Sequence, residues 1–225
     1  MFARIIGFLL RPLIRPIRYG ALKLMKKVRA PNDRRPIIAT SDHILSEFVL
    51  PLVFNLFQED KFRERASFSK LPTVEHDRIF NELEVAGICL AMFYLRAVKS
   101  LVRPENYHFW QEVEEHLPKQ LQKIMLGFGI SGSNAKLMRQ LVDMRRAEYE
   151  ELAKIAQNIN IEHDEEFRAL PPEMKWFAAA MQATAVGTVK HIRRGKYQEK
   201  EPLVQYLVEW LMRLRRKISR LVKNL

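Results

Sequence analysis

The chain is poor in the residues that build cross-links, hairpins and membrane spans. It has one cysteine, Cys89, and eight glycines among 225 residues. A single thiol closes no internal disulfide and supplies no multi-cysteine metal site, so nothing here requires an oxidising compartment. No stretch alternates polar with apolar residues as a hairpin strand would. Helical periodicity instead recurs nearly throughout, and the expected fold is all-α, a bundle of about six helices with a basic amphipathic N-terminal arm. In the first thirty residues the longest charge-free run is residues 5–10, far short of the roughly 18 apolar residues of a spanning helix. Acidic residues are missing from 1–29 altogether.

What those residues do contain is positive charge mixed with bulky apolar side chains. Arg4, Arg11, Arg15, Arg18, Lys23, Lys26, Lys27 and Arg29 are interleaved with Phe2, Ile5, Ile6, Phe8, Leu9 and Leu13. A segment both greasy and cationic has two natural partners, the anionic face of a bilayer and an acidic polymer such as RNA. Pro12 and Pro16 each remove a backbone donor, which predicts a broken helix over 2–10 and 17–28. Three uses compete for the arm: a membrane-surface anchor, a targeting sequence, or a docking arm for a protein or nucleic acid. No small-residue cleavage site follows the apolar run, which argues against a secretory signal.

The formal charge of +12 is unevenly placed. Residues 1–36 carry a net +9 and residues 202–225 a net +5, leaving −2 for 37–201. A nucleic-acid-binding domain usually shows its basic stripe on the folded body. A near-neutral body with cationic ends favours a tether to an acidic surface, where each Lys or Arg contributes about 1 kcal/mol. The organisation read from this is an arm at 1–29, a linker at 30–39, a helical core at 40–200 and a basic C-terminal helix at 201–225. In the last helix, Arg213, Arg215, Arg216, Lys217, Arg220 and Lys223 exceed what a helix dipole calls for, and they join the arm residues as candidate lipid contacts. A coiled-coil contact is the competing use.

Within the core, Ser41 or Asp42 is a candidate cap for a helix kinked at Pro51. Residues 59–70 are charged and read as a loop. Thr73 is a candidate cap for a helix over 74–102, in which residues 85–95 lack any polar side chain and suggest burial on all sides. Pro104 starts a helix that meets Pro118 and resumes. A further helix ends near residue 157, with Leu137, Leu141, Met144 and Leu152 on its inner side and Arg139, Arg145, Arg146, Glu150 and Glu151 mostly toward solvent. Residues 158–170 are polar and acidic. Helices start again at Pro171-Pro172 and at Pro202, with Gly195 as a left-handed cap between them.

The segment Gly-Phe-Gly-Ile-Ser-Gly at 127–132 matches a dinucleotide pattern literally, but a helix rather than a strand leads into it, so it reads as a helix end and a turn. Of the six histidines, only His108 has a glutamate, Glu105, three residues earlier, and a di-iron bundle needs that motif on two helices. Glu112 with His116 and Glu75 with His76 read as solvated charges. Cys89 in an apolar setting reads as a small packing residue. No cofactor or metal is expected, and no reaction is indicated.

Residues 74–153 resemble the ubiquinol–cytochrome c chaperone family. The resemblance lies in Ile-Cys-Leu-Ala-Met-Phe-Tyr-Leu-Arg at 88–96, Phe-Trp-Gln-Glu-Val-Glu-Glu-His-Leu at 109–117, Gly-Phe-Gly-Ile at 127–130, Lys-Leu-Met-Arg at 136–139 and Tyr149. The Gly-Arg pair expected before that tyrosine is absent, and the second half diverges. The resemblance implies an assembly factor, peripheral to an energy-transducing membrane, that holds a newly made membrane subunit; the residues themselves are read as a non-enzymatic protein on the cytoplasmic or mitochondrial-matrix face of a membrane. The expected partners are an anionic membrane surface and a protein of a membrane complex. An RNA- or ribosome-associated protein using the same basic ends is the alternative.

Overall fold

The structure, a computed structural model, describes residues 34–98, 102–196 and 201–224. The arm, with every candidate lipid contact from Phe2 to Arg29, lies outside the described residues. Among the described residues the elements are helical, with no strand: α1 Arg35–Gln58, α2 Asp60–Arg65, α3 Thr73–Val98, α4 Pro104–Gly127, α5 Gly132–His163, α6 Glu165–Ala169, α7 Pro172–Ile192 and α8 Pro202–Asn224. The bundle expected from periodicity is the fold found.

α3 is the spine. From Glu82 to Leu95 every side chain is buried, and α1, α4, α5, α7 and α8 all pack around it. Each fully buried Leu, Ile or Phe there contributes about 1.5–3 kcal/mol. Close approach is built into the sequence at Gly87, where an added Cβ would lie 2.9 Å from Val49 Cγ1 of α1. α7 lies against α5 and α3 through Ala179, Ala180, Ala183, Ala185 and Gly187.

The prolines act as the sequence suggested at Pro104, Pro172 and Pro202, each at a helix start. Pro51 is handled differently from a simple kink. A π-helical turn, Ile44–Val49, precedes it, and Leu50 N donates to Leu45 O. The wider turn absorbs the disruption that a donor-less residue brings to the α ladder. α4 runs unbroken through Pro118.

Several boundaries differ from expectation. α1 already begins at Arg35, and Pro36 and Ile37 are buried, so the body starts inside the expected linker. Ser41 is interior rather than a cap, its Oγ donating to Ile37 O at 2.8 Å. Residues 59–70 form α2 and a short 3-10 turn, Phe68–Lys70, because Phe62 and Phe68 turn inward and pack edge-on at 5.7 Å. α5 continues to His163, and Asp164 then caps α6 by accepting from Phe167 N at 2.9 Å. α8 belongs to the core: Leu203, Leu207, Trp210, Leu214, Ile218 and Leu221 are buried in the body.

α1 is long and apolar enough to cross a membrane by length and composition. Ile44, Leu45, Val49, Val53 and Leu56 are fully buried in the bundle, as in a core helix.

Candidate functional site: an apolar groove with a buried carboxyl

Three helix faces of the same period converge. α3 contributes Asp77, Phe80, Asn81 and Glu84; α4 and the residue that caps it contribute Leu121, Ile124, Met125 and Phe128; α5 contributes Asn134, Leu137, Met138, Leu141 and Met144, and Ile130 and Gln140 complete the lining. Each set is spaced at three, four and seven residues, the pattern of a single helix face. Between them lies a groove of about 630 Å³, to which Leu50 of α1 also contributes lining. That volume is within the usual range of ligand sites, roughly 300–1,000 Å³.

The turn at residues 127–132 sets the angle of two walls. α4 ends with Gly129 at φ +78° and Ile130 N donating to Met125 O, a left-handed helix end. Ser131 then caps α5 by accepting from Asn134 N at 3.3 Å. The glycines therefore end one helix and let the next begin, as the helix leading into them indicated.

α5 departs in part from the expected sidedness, since Leu141 and Leu152 pack against the core and Glu151 faces solvent as expected. Arg145 points inward, with Nη2 donating to Glu82 Oε1 at 2.8 Å and Nε to Glu82 Oε2 at 3.0 Å. Arg96 of α3 bridges Glu114 of α4 and Glu150 of α5, at 3.0 Å to each. Meanwhile Leu137 and Met144, expected to be inside, are 60% and 63% exposed. Ile155 and Ile159, on the same side of the helix, are 58% and 52% exposed, but Glu148 and Glu151 lie between them and Met144.

Two acidic groups interrupt the apolar lining. Glu84 is 8% exposed, and burial pushes its carboxyl up to about 8. It forms no hydrogen bond or ion pair among the described residues. One helical turn pair away, Asp77 Oδ1 is buried and also lacks a hydrogen-bond partner. Buried polar groups are ordinarily satisfied, and such exceptions call for a reason.

The other candidates are placed as follows. Cys89 is fully buried, and burial pushes its thiol well above the ordinary range. Glu112 pairs with exposed His108 at 3.0 Å. Glu75 pairs with Arg78 and Arg194, and His76 stacks on Phe68 at 4.5 Å. No group of three or more His, Cys, Asp or Glu converges as a metal site among the described residues. On α8, Arg213, Arg216, Lys217, Arg220 and Lys223 are exposed, though Arg213 lies 3.5 Å from Glu59. Arg215 is a correction: it turns toward the body, its guanidinium 5.9 Å from the Tyr94 ring and its Nε buried.

Ile79, Leu83 and Ala86 form one fully buried face of α3, and the groove uses a different one. The signal was present in Asp77, Phe80, Asn81 and Glu84, a second periodic face in which a phenylalanine sits among polar residues. Comparison of the chain with protein-family models, curated proteins and solved structures returns no match. The groove is understood from its own geometry.

Proposed function

We propose that this protein is a non-enzymatic helical adaptor, an assembly factor that works at an anionic membrane surface and holds an apolar helix of a membrane-complex subunit in the groove between α3, α4 and α5. The observation that carries this reading is the groove itself, with Leu137 and Met144 exposed along its α5 border. An amphipathic or apolar helix seats in such a groove through residues at three-, four- and seven-residue spacing. Three methionines, Met125, Met138 and Met144, give the lining the adaptability of unbranched, polarisable side chains. The exposed cations of α8, together with the cationic arm, supply the attraction to lipid.

The test has two parts. A 21-residue Leu/Ala peptide aggregates in water; the full-length protein keeps it dispersed, and Leu137→Ser with Met144→Ser loses that holding activity while circular dichroism stays helical. Flotation with phosphatidylserine vesicles reports the membrane half. Replacing Ile5, Phe8 and Leu9 by Ser weakens flotation if lipid insertion is used, whereas contact to phosphates alone is indifferent to that change.

A further inference from the structure

We infer that the helix held in the groove carries one lysine or arginine, and that Glu84, with Asp77 two helical turns away on the same face, is the receptor for that charge. The inference rests on the groove being a helix-binding site, as proposed above, and names the chemistry that selects the occupant.

A carboxyl with no partner, in a cavity walled mainly by Leu, Ile, Met and Phe with Asn81, Asn134 and Gln140 among them, is unfavourable in the empty protein. Glu84 could be replaced by leucine or methionine without disturbing the helix, and the groove would gain apolar area. Asp77 repeats the anomaly seven residues earlier on the same face, with Oδ1 buried and unpartnered. Elsewhere in the body, nearly buried acids are paired: Glu82 with Arg145 and Glu114 with Arg96. The groove-facing acids of α3 are thus the ones left for something outside the body.

The complement of an apolar wall bearing one recessed acid is an apolar helix bearing one recessed base. A Lys or Arg can lay its methylene stem along Leu121, Met125 and Phe80 while its charged head reaches Glu84. Such a residue is expensive in a bilayer, about 2.5–3.5 kcal/mol at a helix centre on insertion scales. A protein that covers it before insertion therefore meets a need created by the same residue. Discrimination follows as well. A neutral helix leaves Glu84 buried and unsatisfied, while a helix with an aspartate or glutamate at that position places two acids in contact.

The experiment uses the full-length protein and two fluorescent 21-residue Leu/Ala helices, one with a central lysine and one with norleucine, which keeps the stem and drops the ammonium. Anisotropy in a mild nonionic detergent gives both affinities. The lysine peptide is expected to bind at least tenfold more tightly, and Glu84→Gln brings the two peptides within about twofold by weakening the lysine peptide alone. Asp77→Asn shifts the ratio in the same direction by less. Equal affinities for the two peptides, with Glu84→Gln changing neither, overturn the charge-receptor role while leaving a helix-binding groove in place. If neither peptide binds, the groove reading falls and this inference falls with it.

Discussion

Arg145 and Glu82 face each other across the α5–α3 contact with two hydrogen bonds, at 2.8 and 3.0 Å, in the side-by-side geometry of a bidentate pair. Glu148 accepts a third from Arg145 at 3.3 Å and also lies 2.8 Å from His191 Nε2 on α7. A planar five-donor fork is suited to this and an ammonium is not. Removing one partner of a nearly buried pair leaves the other charge uncompensated, which costs about 3–5 kcal/mol. Arg145→Met is therefore expected to lower unfolding stability in urea by that order, with the slope unchanged. Arg145→Lys recovers less than half. The double variant Arg145→Met with Glu82→Gln is milder than Arg145→Met alone.

Glu84 gives the fold a pH dependence of definite sign. Its carboxyl is pushed from 4.5 up to about 8 by burial, so the folded protein favours the protonated form. That contribution is complete below pH 4.5 and is lost as pH rises to 8, at about 1.4 kcal/mol per pH unit for one proton. Glu75, held near 2 by Arg194 and Arg78, changes its contribution only below 4.5 and leaves this window clear. Glu84→Gln should thus become progressively more stable than the parent between pH 5 and 8, with the difference levelling off above 8. Urea unfolding at five pH values measures it; a difference that does not grow with pH refutes the burial.

Gly187 is where α7 meets Tyr149. An added methyl would lie 2.7 Å from Tyr149 Cδ1, and the ring is fully buried with its hydroxyl 3.2 Å from Thr188 Oγ1. Alanine is favoured over glycine within a helix by about 1 kcal/mol, whereas overpacking a tight core costs about 1–3 kcal/mol. The clash is with a ring held on both sides, so the penalty wins. Gly187→Ala is expected to destabilise, and Gly187→Ala combined with Tyr149→Leu to recover part of the loss, read by thermal unfolding.

The two sides of α8 separate binding from folding. Replacing exposed Arg216, Arg220 and Lys223 by Gln should weaken association with phosphatidylserine vesicles by up to about a hundredfold at low salt, at about 1 kcal/mol per charge before screening. The melting temperature should stay within about 2 °C, as expected for surface changes. Arg215→Gln should do the reverse, because that guanidinium covers the Tyr94 ring: vesicle binding holds while the melting temperature falls.

How much of this could be seen in the sequence follows from what local pattern encodes. The buried run at residues 85–95, the helix starts at Pro104, Pro172 and Pro202 and the left-handed ends at Gly129 and Gly195 were all legible. Each depends on residues within a turn or two of one another. The orientation of α5 was not, because charge was assigned to solvent and Leu137 and Met144 to the interior. Periodicity shows that a helix has two faces without saying which one the rest of the chain will cover. Arg145 turned inward because Glu82, 63 residues earlier, was waiting for it, and only the assembled bundle reveals that pairing. The groove was hidden for the same reason, being shared among three helices and written in none of them singly.

On α3 the interior and the groove are one residue apart, Leu83 fully enclosed and Glu84 next to it on the other side. A guest that grips Glu84 also braces the helix from which the whole bundle hangs. Occupancy and heat resistance are then two readings of a single equilibrium, with each tenfold rise in guest concentration above its dissociation constant adding about 1.4 kcal/mol. A melting curve, run with no knowledge of the guest's natural identity, becomes a way to search for it.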